Sequence, residues 1–215
     1  MHASRLPLRH IALAIGLLLA GSALAQAQQS PPPAPRVDHF TDRNVAQQKR
    51  IEQGLQSGQL TTREAARLEQ GQAHINHMES RATNPDGARG AAVGPGEAAR
   101  IQHAQSAESH AIYRQRHDAQ TGNPDSASSR RMQADVQRNV NQQARIAAGV
   151  DHGGLTNREV SHLSAQQARG NRMEAAAGRN GFIGRGEQQR IQRSDRLRSH
   201  AIWHDRHNGA RRHGG

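Results

Sequence analysis

The scarcity of large apolar side chains constrains this chain more than any other feature. After residue 25, where a predicted signal peptide ends, leucine, isoleucine, valine and phenylalanine make up 23 of 190 residues, about 12 per cent. Charged chains with less than roughly 20 per cent of these residues are suspected of disorder. The whole chain also has only four aromatic residues. We therefore expect no large sandwich, barrel or doubly wound core, and what folds should be small, helical and thinly packed.

Residues 1–25 have the three parts of a secretory signal peptide. Arg5 and Arg9 form the positive start, residues 11–19 the apolar segment, and residues 23–25 a small-x-small cleavage site. The apolar segment is too short for a membrane span. No cysteine follows, which excludes a lipoprotein anchor, disulfides and thiolate metal sites. We expect export to a bacterial periplasm or secretion, with no stable membrane anchor after cleavage.

The chain is strongly basic, with 29 Lys and Arg residues against 18 Asp and Glu residues and a formal net charge of +11. Lys49 is the only lysine, so the positive charge is almost entirely arginine. Scattered arginine most often forms a solvated surface. A chain of this charge should nevertheless bind polyanions at low salt.

Internal similarity indicates that the chain contains two copies of one unit. At an offset of 95, residues 43–51, 58–68 and 78–79 match residues 138–146, 153–163 and 173–174; at an offset of 90, residues 96–102 and 109–117 match residues 186–192 and 199–207. We therefore expect an all-α fold with duplicated three-helix units, preceded by a leader and joined by a linker, both flexible. The predicted segments are a Pro-rich leader at 26–41, unit 1 at 42–120, a linker at 121–134, unit 2 at 135–208 and a basic tail at 209–215.

Each unit is predicted to contain three helices. In unit 1 the first runs from about residue 42 to 53 and the third from about 96 to 117, with apolar residues at helical spacing. The second should begin at Thr61, because Glu64 three residues later completes a capping box. Thr156 and Glu159 repeat this pair in unit 2.

The loops between these helices resemble EF-hand loops. Counting twelve positions to Glu64, Glu159 and Glu187 puts glycine at position 6 and an aliphatic residue at position 8, and a fourth, interrupted loop ends at Glu97. The resemblance implies helix-loop-helix units whose loops pair through a short β contact. Positions 1, 3 and 5 lack the carboxylates that calcium needs, so we do not expect calcium binding. The position-12 glutamates are instead expected to be helix-start residues.

Nearly the whole chain after residue 25 resembles a set of uncharacterised exported proteobacterial proteins built from such repeats. Residues 57–61 and 109–117 carry this resemblance. Residues 60–64 and 155–159 show a weaker similarity to periplasmic stress chaperones with a Leu-Thr-x-x-Gln motif, although Glu replaces the final Gln. This second resemblance implies a stress-related accessory role.

Histidines provide the candidate metal ligands. His200, His204 and His207 are spaced i, i+4 and i+7, which puts three imidazoles on one helix stripe that could bind Zn or Ni. His103, His110 and His117 form a second stripe. Residues seven positions apart lie about 10 Å apart along a helix, whereas the ligands of a metal ion have to converge within a few ångströms. The alternative interpretation is that these rings line a solvated helix face beside arginine.

No zinc-protease, phosphate-loop or serine-hydrolase motif occurs in the chain, so we expect no catalytic residues and a non-enzymatic protein. The leading hypothesis is a periplasmic accessory protein, related to stress or to weak binding of a divalent metal. The alternative is a basic interaction protein for an anionic partner: lipopolysaccharide, nucleic acid or an acidic protein.

Overall fold

The computed structural model describes residues 37–83 and 93–210, and this part of the chain is all-α, as predicted. Its helices are α1 (Val37–Gln56), α2 (Thr62–Ala82), α3 (Pro95–Arg116), α4 (Ala127–Asp151), α5 (Asn157–Gly178) and α6 (Arg185–His207). No strand or β-bridge occurs among these residues, and none of these helices is long and apolar enough to cross a membrane. The predicted signal peptide, leader residues 26–36, most of the fourth loop and tail residues 211–215 lie outside the described residues.

Helices α2 and α5 begin at the two predicted capping boxes. The Thr61 hydroxyl accepts a hydrogen bond from the Glu64 backbone N–H at 3.2 Å, and the Glu64 carboxylate accepts one from the Thr61 N–H at 2.8 Å. Thr156 and Glu159 form the same pair of bonds at 3.3 and 2.8 Å. Each box satisfies backbone donors that have no partner inside the helix.

We expect Thr61→Ala to lower the free energy of unfolding by about 1 kcal/mol, because the first turn of α2 loses a hydrogen-bond acceptor. Urea denaturation followed by circular dichroism measures this change. Thr121→Ala is the matched control, since Thr121 is exposed and lies outside any helix. Equal stability of the two variants would show that the capping box does not stabilise α2.

Helices α1 and α4 begin earlier than the repeat pattern predicts. Helix α1 begins at Val37 rather than near residue 42, because Val37 and Phe40 are buried in the core. Helix α4 begins inside the predicted linker, where the Ser126 hydroxyl accepts a hydrogen bond from the Ser129 N–H at 3.1 Å. Met132 in the first turns of α4 is fully buried. Both extensions thus add apolar side chains to a core that is short of them.

The core consists of two apolar clusters, and each cluster takes residues from both repeats. Cluster A contains Val37, Phe40, Ala82, Val93, Ala98 and Ile101 from the first repeat with Ile146, Val150, Leu155, Val160, Leu163 and Ile202 from the second. Cluster B contains Ile51, Leu55, Leu60, Ala65, Ala66, Leu68 and Ile112 with Met132, Val136, Ala177, Ile183 and Ile191. Equivalent residues of the two repeats therefore lie in opposite clusters, as in a twofold-symmetric dimer.

Helices α2 and α5 pack antiparallel at the centre of this arrangement. Gly178 at the end of α5 lies against Ala66 and Thr62 at the start of α2. At the other end of the pair, the Ser161 hydroxyl donates a hydrogen bond to the Ser80 carbonyl oxygen at 2.6 Å. The two repeats therefore pack along the full length of these helices.

Hydrogen-bonded polar side chains complete the interior where apolar residues are lacking. Asn139 donates to the Glu174 carboxylate at 2.6 Å, Gln48 donates to Glu69 at 3.1 Å, and Gln143 donates to Asn76 at 3.1 Å. All of these side chains are buried. Each bond satisfies a buried donor, although Gln48, Glu69, Asn76 and Asn139 each keep one buried polar atom without a hydrogen-bond partner.

Candidate anion-binding site

The fold buries carboxyl groups and leaves arginines on the surface. Eight acidic residues are buried in the part of the chain that the structure describes: Glu52, Glu64, Glu69, Glu79, Glu108, Asp135, Glu174 and Asp195. Among the described residues, Arg198 is the only buried arginine, and it pairs with Glu174 and Asp195. The solvent-facing surface is therefore more basic than the formal net charge of +11 indicates.

Burial also removes negative charge from several of these carboxyl groups. Desolvation raises the pKa of Glu69 and of Glu79 to about 8, although hydrogen bonds from Gln48 and Asn44 oppose the shift. Both groups consequently carry a proton at pH 7. Desolvation raises the pKa of Glu108 to about 7 as well. At neutral pH the protein is thus more positive than its composition implies.

Two shallow grooves on this surface are lined by arginine and serine. Groove 1 lies between α1 and α3, and its lining residues are Asp42, Arg43, Ala46, Arg50, Ser106, Ser109 and His110. Groove 2 lies between α4 and α6, and its lining residues are Arg138, Gln192, Asp195, Arg196 and Ser199. Arg43 and Ser109 correspond to Arg138 and Ser199 in the repeat. Two lining residues of groove 1 thus have identical counterparts in the lining of groove 2.

The arginines of groove 1 are held by neutral groups. Arg50 donates to the Ser109 hydroxyl at 3.0 Å and Arg43 to the Ser106 hydroxyl at 3.4 Å. Arg116, farther along α3, donates two hydrogen bonds to the Gln59 side-chain oxygen at 3.1 and 2.7 Å. None of these three arginines forms an ion pair with a carboxylate of the described residues.

The electrostatic surroundings of Arg50 are unfavourable for a cation. Burial lowers the pKa of Arg50, and the positive charges of Arg116 and Arg43 lower it further, whereas Glu108 opposes the shift. Arginine stays protonated in proteins, so the lowered pKa reflects repulsion that the folded state retains. A bound anion would relieve this repulsion.

Groove 2 repeats the central arginine–serine contact. Arg145 donates to the Ser199 hydroxyl at 3.0 Å, and burial together with the charge of Arg206 lowers the pKa of Arg145. Arg138 differs from its counterpart, because it pairs with Asp135 at 2.7 Å and with Asp195 at 3.4 Å. Arg196 replaces Ser106 at the equivalent position and adds a positive charge.

The predicted metal ligands lie on the exposed part of α6 near its end. His204 Nδ1 is 3.2 Å from an Asp205 carboxylate oxygen, and His207 Nδ1 is 2.6 Å from the Trp203 carbonyl oxygen, to which it can donate. No group of three or more His, Asp or Glu side chains is arranged to hold a metal ion anywhere in the described ranges. His200 instead corresponds to His110, which lines groove 1.

The position-12 glutamates lie at helix starts. Glu64 and Glu159 complete the capping boxes, and Glu187 accepts a hydrogen bond from the Gly184 N–H at 2.8 Å. Glu97 lies in the first turn of α3. Negative side chains at these positions stabilise the helix through its dipole, which requires no bound ion.

The groove arginines were not singled out from the sequence, although a signal for them exists. Arg50 and Arg116 are identical to Arg145 and Arg206 in the other repeat, yet all four are partly exposed. Identity at such positions is not explained by core packing. What the sequence did not reveal is that Arg50 and Arg116 meet, because only the packing of α1 against α3 brings them together.

The chain matches no protein-family model, no curated protein and no solved structure. Its function therefore has to be inferred from the grooves and from the distribution of charge.

Proposed function

We propose that this protein is an exported, non-enzymatic binding protein for an anionic polymer, which it contacts through the groove arginines. We use this name for Arg43 and Arg50, which line groove 1, for Arg138, which lines groove 2, and for the neighbouring Arg116, Arg145 and Arg206. The observation that carries the proposal is that both repeats retain this arginine set at the surface, whereas eight carboxyl groups are buried. Guanidinium groups bind phosphate and sulfate oxygens through paired hydrogen bonds, which suits such a ligand.

The geometry favours an anionic ligand over a divalent metal. The imidazoles of His200, His204 and His207 do not converge, whereas the guanidinium groups of Arg43, Arg50 and Arg116 lie close enough to repel one another. Bringing Arg43 and Arg116 near Arg50 costs free energy in the folded protein, which Glu108 offsets only in part. Binding of an anion would recover that free energy.

An EF-hand-like origin of the duplicated units is part of this proposal. Gly58, Gly153 and Gly181 at position 6 have positive φ angles of 74°, 65° and 85°, which favour glycine. The position-8 residues are buried in the clusters: Leu60 and Ile183 in cluster B, and Leu155 and Val93 in cluster A. Loops of different repeats thus share a core, and they would act as structural turns without calcium.

Replacing three arginines of groove 1 tests the proposal. We expect Arg43→Gln/Arg50→Gln/Arg116→Gln to weaken binding to fluorescently labelled polyphosphate at least about tenfold at about 150 mM salt, because three phosphate contacts are lost. The slope of log affinity against log salt should become shallower by about 2 to 3. Fluorescence anisotropy over a salt series measures both quantities.

The matched control is Arg81→Gln/Arg158→Gln/Arg172→Gln, which changes net charge equally at exposed positions outside both grooves. Thermal melts of both triple variants check that the fold persists. If the two variants lose affinity equally, binding is diffuse attraction to a basic surface and the grooves are not sites. If neither loses affinity, arginines of groove 1 do not bind the polymer.

A further inference from the structure

On α3 and on α6, an exposed aromatic ring lies two helical turns beyond a residue that lines a groove. Tyr113 on α3 and Trp203 on α6 occupy equivalent repeat positions, and their side chains are 61 and 58 per cent exposed. In a chain with four aromatic residues and few apolar anchors, burying these rings would have stabilised the fold. Single exposed hydrophobic residues are common, so exposure alone does not mark a site; the relevant observation is that an aromatic ring is exposed at the same position of both α3 and α6.

Both rings are held in position by a histidine one turn later. The Tyr113 and His117 rings stack with centroids 4.2 Å apart and planes 24° apart, and the Trp203 and His207 rings stack at 4.7 Å and 20°. The His117 and His207 Nδ1 atoms are also 2.7 and 2.6 Å from the carbonyl oxygens of Tyr113 and Trp203. The aromatic rings are thereby pre-oriented while most of their surface stays open to solvent.

The rings continue the line of each groove along its helix. On α3, Ser106 and His110 line groove 1, and Tyr113 follows at the next helical position of the same stripe. On α6, Arg196 and Trp203 have the same spacing of seven residues. Seven residues span about 10 Å of helix, which is the rise between each aromatic ring and a groove-lining residue on the same helix.

We propose that the anionic polymer is single-stranded nucleic acid, whose phosphates contact the groove arginines and whose bases stack on Tyr113 and Trp203. This inference rests on the proposed function and names its ligand. A cationic groove that follows the backbone, combined with aromatic rings that stack on successive bases, is the arrangement by which proteins bind single strands without sequence preference. Polyphosphate, lipopolysaccharide phosphates and acidic proteins would use the arginines but would not present bases to both aromatic rings.

Trp203 is the only tryptophan of the chain, so its fluorescence reports on groove 2 directly. Residues 26–215 are titrated with a thymidine oligonucleotide of about twelve nucleotides and with an abasic sugar–phosphate strand of equal length. We expect the oligonucleotide to quench Trp203 and to bind at least about fivefold more tightly than the abasic strand, since only the oligonucleotide has bases that can stack on the ring. Trp203→Ala and Tyr113→Ala should each lower oligonucleotide affinity about fivefold or more and leave the abasic strand unaffected.

Phe182→Ala is the matched aromatic control. Phe182 is also exposed, at 57 per cent, but it precedes α6, whereas Trp203 lies near the end of that helix. Equal binding of both strands without quenching of Trp203 would overturn the nucleic-acid inference and leave the anionic-polymer proposal standing. Binding of lipopolysaccharide but not of the oligonucleotide would overturn it in the same way. Failure of both strands and of polyphosphate to bind at about 50 mM salt would overturn both proposals.

Discussion

Separately produced halves of this protein should remain largely unfolded and should fold only after they are mixed. Cluster A joins residues such as Phe40 and Ile101 to Ile146 and Ile202, and cluster B joins the repeats in the same way. An isolated half would expose one side of both clusters. Each large apolar side chain that stays in water loses about 1.5–3 kcal/mol of burial free energy. The free energy of unfolding of a whole domain is only about 5–15 kcal/mol, so the loss of several such contacts is enough to unfold a half.

Fragments 26–120 and 121–215 provide the measurement. We expect weak helical circular dichroism and no cooperative melt from either fragment, and a cooperative, concentration-dependent melt from their equimolar mixture. The control is the intact chain cut by a protease between residues 118 and 123, which should keep its melt because the halves stay packed. A cooperative melt from a single fragment would show that the repeats are independent domains.

The free energy of unfolding should fall as the pH rises from about 5 to about 8. The pKa of Glu69 is raised from 4.5 to about 8 by burial, so between these values the folded protein holds a proton that the unfolded chain has released. Stability from such a group is complete below pH 4.5 and is lost as the pH rises through the folded pKa. Each group of this kind contributes a slope of at most about 1.4 kcal/mol per pH unit, and Glu79 adds a second.

Glu69→Gln isolates one of these groups. One carboxylate oxygen of Glu69 accepts hydrogen bonds from Gln48 and Asn139, and the other has no partner. The side-chain oxygen of a glutamine at this position can accept the same two hydrogen bonds without carrying a charge. We expect the variant to gain stability relative to the wild type by up to about 3 kcal/mol between pH 5 and pH 8. Urea denaturation across this range measures the gain.

Gln70→Ala is the control for this experiment, because Gln70 is an exposed residue of the same helix and has no titratable group. A wild-type protein whose stability rises from pH 5 to pH 8 would show that Glu69 is ionised in the folded state. The same result would argue that water or a cation reaches the polar interior.

Local chemistry made several structural features predictable. The starts of α2 and α5 were predicted by two capping-box pairs, Thr61 with Glu64 and Thr156 with Glu159. A capping box involves only four consecutive residues, so it can be recognised in the sequence. The early starts of α1 and α4 were not predictable in this way. Val37 and Met132 lie beyond the matched repeat segments, and their helical state depends on partners in the other half of the chain.

The candidate site also contains residues that one segment of the sequence can predict and residues that only the packing of helices brings together. The i, i+4 and i+7 spacing of His200, His204 and His207 predicted a metal site, because helical spacing can be counted along one segment. The arginine grooves depend on α1 packing against α3 and on α4 packing against α6, which no single segment reveals. Identity between the copies at exposed positions was the one available signal for Arg50 and Arg145.

Residue order along the chain was sufficient for the all-α class, the capping boxes and the basic charge, since each depends on composition or on neighbouring residues. Tertiary packing decided that the repeats share both apolar clusters, that eight acidic residues lie inside while nearly all described arginines lie outside, and that the arginines meet in two grooves. The physical reason is burial. A chain with so few apolar residues has to combine both repeats to exclude water, and the combination determines which charges remain at the surface.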